Sequence, residues 1–269
     1  MTFDLHTHHN RCGHAYGSVR DYITAAVDKG LLYIGISDHT PFFAEEDDHS
    51  SPEASMAKSE FPVYVQEVLA LKKEFAGRIE VLLGVEADYL PDSHDLYQHM
   101  LRSYPFDYVI GSVHDFAGVS LYDADYWERL SPEGRLQLKE TYYRYIAQSA
   151  ASGLYDILGH VDALNRYFPG YAELRTEAAD QTLQVIAKHD IVMEINSSDE
   201  LWVPDGWLLE RALHYGVKVT FGSDAHEPAR VGEYFDDIRK HLLDIGYREW
   251  AVFHNRERIM LPLDASLLA

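Results

Sequence analysis

Two histidines separated by a single residue lie near the start of the chain, and side chains of the same chemistry recur along it. His6 and His8 belong to the run Asp4-Leu5-His6-Thr7-His8, and six further clusters of imidazole and carboxylate residues follow, mostly at the ends of short apolar runs. Imidazole nitrogens and carboxylate oxygens are common protein ligands of zinc, manganese and iron. The recurrence predicts one metal centre rather than unrelated polar residues.

Most of the candidate ligands are imidazoles, which favours these borderline metals over magnesium or calcium, whose sites consist mainly of oxygen. The further clusters contain His14, Asp38 with His39, Glu86, His114, His160, and Asp224 with His226. Residues two apart in an extended strand point to the same side. His6 with His8, and Asp224 with His226, can therefore each chelate one ion or bridge two.

Short runs rich in Ile, Val, Leu or Tyr precede most of these clusters and predict seven strands. We expect the strands at residues 2–5, 32–37, 79–85, 108–113, 155–158, 191–195 and 218–221. Between the first two, Ser18 and Asp21 open an amphipathic helix that Gly30 closes. Further helical patterns cover residues 64–75, 132–152, 175–188, 207–215 and 235–243.

Strands that alternate with helices indicate a parallel sheet, and seven of them suggest a closed α/β barrel. The active sites of such barrels are built at the carboxyl ends of the strands, where the loops converge. The candidate ligands follow these ends, apart from His14, which lies in a loop, and Asn196 follows the sixth strand. The metal centre should therefore occupy one face of the barrel.

The composition restricts the class of protein. A chain of 269 residues that is 46% hydrophobic fits a single domain over 1–269, although two small domains would fit the length as well. No apolar stretch reaches 18 residues, the polar N-terminus is unlike a secretory signal, and one cysteine cannot form an internal disulfide. These features favour the cytoplasm and predict no membrane contact.

The net charge bears on the partner. The formal charge of −21 would repel a nucleic-acid backbone unless bound metals and a local basic patch overcame it. A small anionic metabolite in a metal-lined pocket agrees better with this charge, so we predict no nucleic-acid partner. The oligomeric state cannot be predicted from these patterns.

At the level of motifs the chain resembles the polymerase and histidinol phosphatase (PHP) family over nearly its whole length. The matching motifs are Asp4-Leu5-His6-Thr7-His8, Cys12-Gly13-His14-Ala15, Ser37-Asp38-His39, Gly84-Val85-Glu86, Gly111-Ser112-Val113-His114, Leu158-Gly159-His160 and Gly222-Ser223-Asp224-Ala225-His226. The resemblance implies a distorted seven-stranded (β/α)7 barrel that holds three divalent metal ions, which could be zinc, manganese or iron.

The resemblance also implies how the ligands are shared. One ion would take His6, His8, Glu86 and Asp224, a second would take Glu86, His114 and His160, and the third would take His14, His39 and His226. A carboxylate such as Glu86 can bridge two cations, and a water held between them would supply hydroxide near neutral pH. That hydroxide would attack a phosphorus atom, with Glu86 and Asp224 as catalytic residues.

Within the family, the motifs around Cys12 and Ser37 look most like the bacterial histidinol-phosphate phosphatases of histidine biosynthesis. Arg166, on a loop six residues after His160, is the preferred phosphate ligand and third catalytic residue, because guanidinium groups bind phosphate in pairs of hydrogen bonds. Arg230, Arg11 and Asn196 are further substrate-binding candidates. Phosphatases of this type are expected to carry a basic residue after the sixth strand, where this chain has Asn196.

Other readings stay open. A PHP-type phosphodiesterase or exonuclease would keep the metal chemistry, a phosphatase could act on another small ester, and a metal-binding module would lack turnover. Asp38 is expected to orient a histidine rather than bind metal.

The acidic segment 41–61 is either a solvated loop or a lid over the pocket. As a lid, it would supply carboxylates for an ammonium group and apolar cover from Phe42, Phe43 or Met56. Residues 248–263 predict a terminal strand and tail.

Overall fold

Parallel strands alternate with helices throughout the computed structural model of the protein, which describes residues 2–168, 170–171, 173–198 and 201–264. The helices are α1 (Val19–Asp28), α2 (Phe61–Glu74), α3 (His94–Arg102), α4 (Ala124–Glu128), α5 (Pro132–Ala151), α6 (Leu164–Tyr167), α7 (Glu177–His189), α8 (Gly206–His214) and α9 (Phe235–Ile245). Among the described residues, no helix is long and apolar enough to cross a membrane.

The strands form two parallel sheets and two antiparallel hairpins. They are β1 (Phe3–Asp4), β2 (Tyr33–Ile36), β3 (Glu80–Leu83), β4 (Glu86–Asp88), β5 (Ile110–Ser112), β6 (Asp115–Phe116), β7 (Val119–Ser120), β8 (Ile157–Leu158), β9 (Val192–Asn196), β10 (Lys218–Gly222), β11 (Glu249–His254) and β12 (Glu257–Pro262). One sheet has the order β1-β2-β3 and the other has the order β10-β9-β8-β5-β4. The hairpins are β6–β7 and β11–β12.

The two sheets meet at both of their edges. A parallel bridge joins Thr7 to Ala225, and another joins His39 to Glu86. The backbone amide of Leu5 also donates to the carbonyl of Phe221 at 3.2 Å. All seven predicted strands are present, and they make a parallel α/β architecture, whereas a closed barrel of seven strands stays a prediction.

Helix α1 shows how the local sequence forms these elements. The side chain of Asp21 accepts a hydrogen bond from the backbone amide of Ser18 at 2.7 Å, which satisfies a donor at the start of the helix. Val19, Tyr22 and Ile23 are fully buried on the inner face of the helix. The apolar stripe that predicts this helix is therefore the face that packs against the sheet.

Residues 248–263 do not form the predicted single strand and tail, because they fold into the β11–β12 hairpin with Trp250 paired to Leu261. The Trp250 ring packs edge-on against Phe3, with ring centroids 4.7 Å apart, and is fully buried. The hairpin also contacts β10. It therefore completes the core beside the first and last strands of the parallel sheets, where the sequence alone shows only alternation.

The prediction that Arg166 lies on a loop was wrong, because this residue belongs to the one-turn helix α6. Helix α6 is too short to show a helical period in sequence. Helices α3 and α4 and the β6–β7 hairpin were also missed, and they fill the connections on either side of β5.

Candidate metal centre

A cavity of about 550 Å³ opens where the carboxyl ends of the parallel strands converge. Its wall includes seven of the nine predicted metal ligands, namely His14, His39, Glu86, His114, His160, Asp224 and His226. The other two, His6 and His8, are fully buried directly beneath them. The short strands place most of these residues together, because β1, β2, β5, β8 and β10 each end two or three residues before a predicted ligand and β4 begins with Glu86.

Glu86 lies at the middle of the cluster. Its Oε2 atom lies 3.0 Å from Nδ1 of His39, 3.4 Å from Nε2 of His6 and 3.5 Å from Nε2 of His8. Its Oε1 atom lies 3.0 Å from Nε2 of His160 and 3.6 Å from Nε2 of His114. The two oxygens therefore face different sets of imidazoles, an arrangement suited to a carboxylate that bridges two cations.

Asp224 closes the cluster from the end of β10. Its Oδ1 atom lies 3.0 Å from Nε2 of His8 and 3.7 Å from Nε2 of His6. Burial would raise the pKa values of Glu86 and Asp224, but the charges of His39 and His6 beside Glu86, and of His6 beside Asp224, hold both pKa values well below the usual range. Both groups are therefore anionic at neutral pH and available to a cation.

Among the described residues, four groups of side chains have ligand atoms within 4.8 Å of one another: His6, His8 and Glu86; Glu86, His114 and His160; His8, His39 and His226; and His8, Cys12 and Asp38. The second group has the same members as one predicted set, and the first has three of the four members of another, without Asp224. In the third, His8 takes the place expected for His14. The His14 ring is nevertheless close, with its centroid 4.8 Å from that of His226. The structure thus brings together all nine residues, whose role as ligands stays a prediction.

A carboxylate lies behind three of these imidazoles. His6 Nδ1 lies 2.7 Å from Oε1 of Glu194, and His114 Nδ1 lies 2.6 Å from Oδ1 of Asp88. His8 Nδ1 lies 3.3 Å from Oδ1 of Asp38, the orienting position expected for that residue. Such contacts fix the ring and leave Nε2 pointing the other way, as metal-binding histidines require.

The buried ring nitrogens supply a test of whether a metal fits. Among the described residues, Nε2 of His6 and Nε2 of His8 are both buried and make no hydrogen bond of acceptable geometry, although carboxylate oxygens lie 3.4 Å and 3.0 Å from them. A buried polar atom without a partner costs about 1–3 kcal/mol, and coordination would remove this cost. Together with two ionised carboxylates and a predominantly imidazole donor set, these atoms fit divalent metal ions of the zinc type.

Sequence reasoning missed Glu194 and Asp88 as parts of the site. Both carry a signal in retrospect, because Glu194 is a charged residue inside the apolar run of β9 and Asp88 lies two residues after Glu86 in β4. A charge in a fully buried strand needs a partner. Nothing local identifies that partner as His6, which is 188 positions away in sequence.

Arg166 lines the cavity, and its guanidinium group is held by Asn196 and by the backbone at Leu201. Its Nη2 atom donates to Oδ1 of Asn196 at 2.8 Å, and its Nε atom donates to the carbonyl of Leu201 at 3.2 Å. Asn196 also donates to Glu194 at 3.0 Å and to Asp224 at 3.3 Å. Asn196 is fully buried and is not among the residues that line the cavity. It therefore connects Arg166 to the cluster and does not reach the space that a substrate would occupy.

The other two candidate arginines lie away from the cavity wall. Arg11 pairs with Glu67 at 2.6 Å and with Glu60 at 3.2 Å, and Arg230 pairs with Glu233 at 2.6 Å. Neither is among the residues that line the cavity. Their predicted contact with substrate is therefore not supported by this geometry, since their guanidinium groups neutralise neighbouring glutamates instead.

Part of the acidic segment 41–61 forms one wall of the cavity. Phe42, Ser51, Glu53 and Ala54 line it, whereas Phe43 and Met56 pack into the hydrophobic core. Residues 45–48 are exposed and are not lining residues. The carboxylate that this segment contributes to the cavity is therefore Glu53, and the apolar cover comes from Phe42 alone among the three residues expected to supply it.

The PHP domain family matches residues 4–198. A probable histidinol-phosphatase of Deinococcus radiodurans is 32% identical over 260 residues, which cover 94% of this chain and 97% of that protein. The histidinol-phosphatase of Bacillus subtilis is 27% identical, with 87% of this chain and 96% of that protein covered.

A solved structure shows the same fold. The crystal structure of histidinol phosphate phosphatase from Lactococcus lactis, complexed with zinc, L-histidinol and phosphate, matches with a TM-score of 0.80 and covers 96% of this chain and 98% of that one, at 23% identity. This likeness confirms the α/β fold. Since the family match covers most of the chain and the imidazole and carboxylate motifs converge on one cavity, the chain belongs to the PHP domain family.

Proposed function

We propose that the protein is a metal-dependent phosphomonoesterase that hydrolyses L-histidinol phosphate to L-histidinol and inorganic phosphate. The observation that carries the proposal is the arrangement of five imidazoles around Glu86 in a cavity that Arg166 also lines. The names of the Deinococcus and Bacillus relatives and the ligands of the Lactococcus structure support this substrate. A role in histidine biosynthesis and a cytoplasmic location remain predictions.

The fold and metal content belong to the same proposal. We infer one PHP-type domain over residues 1–269, with its strands closed into a distorted seven-stranded barrel. We also infer three divalent ions, held by the nine predicted ligands, with His8 close enough to the third group to contribute there. When bound, such ions supply Lewis-acid charge to a phosphate ester and activate water near neutral pH.

The residues of the chain have separate tasks in this reaction. Glu86 and Asp224 stay ionised and hold the cations, while the carboxylates behind His6, His8 and His114 fix the orientation of the rings. Arg166 donates hydrogen bonds to the phosphate oxygens and offsets negative charge in the transition state. Its anchorage on Asn196 places the guanidinium group before the substrate arrives.

The cavity also suits the other end of the substrate. Histidinol phosphate carries an ammonium group and an imidazole, and the cavity wall also includes Glu53, Asp115 and Phe42. Carboxylates attract an ammonium group, and an aromatic ring covers the imidazole. We therefore assign these three residues to recognition of the amino alcohol.

A phosphodiesterase or exonuclease of the same family is the second candidate, and a phosphatase with another small ester as substrate is the third. The formal charge of −21 disfavours the second candidate, because an extended nucleic-acid backbone would be repelled outside the cavity. A metal-binding module without turnover is disfavoured by the cavity itself, since Arg166 faces it beside the cluster.

The test is phosphate release by metal-loaded protein from histidinol phosphate, from other small monoesters and from a bis-ester. We expect a preference for histidinol phosphate of at least about a hundredfold in kcat/KM, on the order of 3 kcal/mol of transition-state binding. Arg166→Ala should lower kcat/KM by about ten- to a hundredfold, whereas Arg11→Ala should leave it unchanged. Equal rates on all monoesters, or turnover of the bis-ester alone, would contradict the proposal.

A further inference from the structure

A buried lysine lies behind the segment that carries His160 and Arg166. Lys139 is in the middle of α5, yet it is only 2% exposed, and Asp162 beside it is 1% exposed. Lysine and aspartate are almost never fully buried unless they are paired. Neither residue lines the cavity, so their burial has no direct explanation in substrate contact.

The Lys139 ammonium group reaches three points of one connection. It lies 3.1 Å from Oδ1 of Asn165 and 3.6 Å from Oδ1 of Asp162, and it donates a hydrogen bond to the carbonyl of Tyr171. The side chain of Asn165 in turn donates to the carboxylate of Asp162, which also accepts a hydrogen bond from the hydroxyl of Tyr143 at 2.9 Å.

These contacts are made with the segment that carries His160 and Arg166. Asp162 comes two residues after His160, and Asn165 directly precedes Arg166 in α6. Asp162 has a φ of 72°, so the backbone makes a left-handed turn at the point where its carboxylate is held. On the other side, the Arg166 side chain is held by Asn196 at 2.8 Å. Helix α6 is therefore held by Lys139 at Asp162 and Asn165, and by Asn196 at the side chain of Arg166.

A buried ion pair contributes little net stability on average, because loss of hydration offsets the attraction between the charges. An ammonium group with three acceptors at residues 162, 165 and 171 instead restricts where one short helix can lie. A displacement of about 1 Å in a group that binds substrate can cost roughly a hundredfold in rate. The geometry therefore favours a role in placement over a role in stability.

We propose that Lys139, with Asp162 and Asn165, is a positioning residue that holds α6 so that Arg166 faces the phosphate. This inference rests on the proposed function in one respect, the binding of phosphate by Arg166. Lys139 does not touch the substrate. It acts through the backbone of residues 160–168.

The test compares two variants. Lys139→Met removes the ammonium group and leaves Asp162 without its cationic partner, and the double variant Lys139→Met/Asp162→Asn removes both charges so that no unpaired charge is buried. We expect the KM for histidinol phosphate and the dissociation constant of inorganic phosphate, measured by calorimetry on zinc-loaded protein, to rise at least about tenfold in both variants. The zinc content and Tm of the double variant should remain close to those of the wild type.

The Arg211→Met/Asp180→Asn variant is the matched control, because it removes an ion pair of 2.7 Å between α8 and α7, away from α6. It should leave both constants unchanged. A folded, zinc-loaded double variant of Lys139 with wild-type constants would overturn the proposal, and so would a double variant that fails to fold, since the cluster would then serve stability.

The phosphate measurement separates the two proposals. If the wild type binds phosphate but does not hydrolyse histidinol phosphate, the proposed function fails while the effect of the Lys139 variants on phosphate affinity still tests the positioning role. If the zinc-loaded wild type does not bind phosphate at all, the positioning proposal is overturned as well.

Discussion

At the scale of single residues, the site depends on carboxylates that face the back of its histidines. Glu194 is one of these carboxylates, and it contacts two of the predicted ligands and Asn196. One oxygen lies 2.7 Å from Nδ1 of His6, and the other accepts hydrogen bonds from the backbone amide of His160 at 2.7 Å and from Asn196 at 3.0 Å. One buried charge in β9 thus orients two predicted ligands and the residue that holds Arg166.

Substitution of Glu194 by Gln keeps the shape of this side chain and removes its charge. We expect zinc affinity to fall about ten- to a hundredfold, because the imidazole of His6 becomes a weaker ligand and its orientation is less fixed. Competition with a chromophoric chelator measures this affinity. Glu80→Gln is the matched control, since Glu80 lies 3.3 Å from Nε2 of His254 at a partly exposed position. Wild-type zinc affinity in Glu194→Gln would contradict the orienting role.

At the scale of elements, the end of β10 must come very close to β9 and β1. A Cβ atom on Gly222 would lie 2.0 Å from Oε1 of Glu194 and 2.5 Å from Cβ of His6. Both distances are far below van der Waals contact. A residue without a side chain is therefore required at position 222, because any larger residue would collide with Glu194 and His6.

The change Gly222→Ala tests this requirement. We expect it to displace Glu194 and His6, to lower the free energy of unfolding by about 1–3 kcal/mol, and to reduce bound zinc. Thermal unfolding and metal analysis of the purified protein measure both effects. Gly134→Ala in α5 is the control, because a Cβ atom there has its nearest neighbour at 3.5 Å. Equal zinc content in Gly222→Ala and the wild type would show that the strands adjust without cost to the site.

Helix α1 carries a prediction about pH. The hydrogen bond from the backbone amide of Ser18 lowers the pKa of Asp21, so the ionised carboxylate is favoured in the folded state. This contribution is present above the usual pKa of about 4 and is lost as the pH falls through the lower folded pKa. Asp21→Ala should lower the free energy of unfolding by about 0.5 kcal/mol at pH 7, a small effect because the residue is exposed and screened by solvent. The loss should be smaller at pH 3, where the carboxylate is partly protonated.

Chemical denaturation at the two pH values measures this difference. Asp28→Ala serves as the comparison, since Asp28 is the last residue of the same helix, where a carboxylate meets the negative end of the helix dipole. It should not lower stability at pH 7. A cost for Asp21→Ala that stays the same at pH 3 and pH 7 would rule out the ionised cap as its cause.

At the scale of the whole molecule, metal binding and folding are coupled. The candidate ligands come from β4 and from the connections after β1, β2, β5, β8 and β10, so an ion bound between them would hold the two sheets together where they meet. The unfolded chain has no such site, and binding to the folded state alone stabilises it by mass action.

Removal of metal should therefore lower the Tm. At free zinc about a hundredfold above the dissociation constant, each site contributes about 2.7 kcal/mol, which corresponds to roughly 5–10 °C for a chain of this size. Scanning calorimetry before and after chelation, and after return of zinc, measures the shift. Calcium is the control and should not restore the Tm, because it prefers oxygen ligands. An identical Tm with and without zinc would contradict this coupling.

The sequence by itself determined the alternation of seven strands with six of the helices and the chemistry at the strand ends. The period of the apolar residues is a local property. The predicted bounds of β9 therefore differ from the observed ones by one residue at each end, and α1 ends two residues before Gly30. The motifs around His6, Glu86 and Asp224 are equally local, and they were sufficient to predict one centre from residues far apart in the chain.

Only the tertiary structure decided which side chains face one another. Asn196 holds Arg166, Glu194 orients His6, Glu53 rather than residues 45–48 reaches the cavity, and Arg11 turns toward Glu60 and Glu67. The residue pairs among these outcomes are 30 or more positions apart in the chain, and they meet through the direction of their side chains. Local periodicity specifies a face of an element but not the partner that packs against it, because that choice depends on how the sheets and loops close over one another.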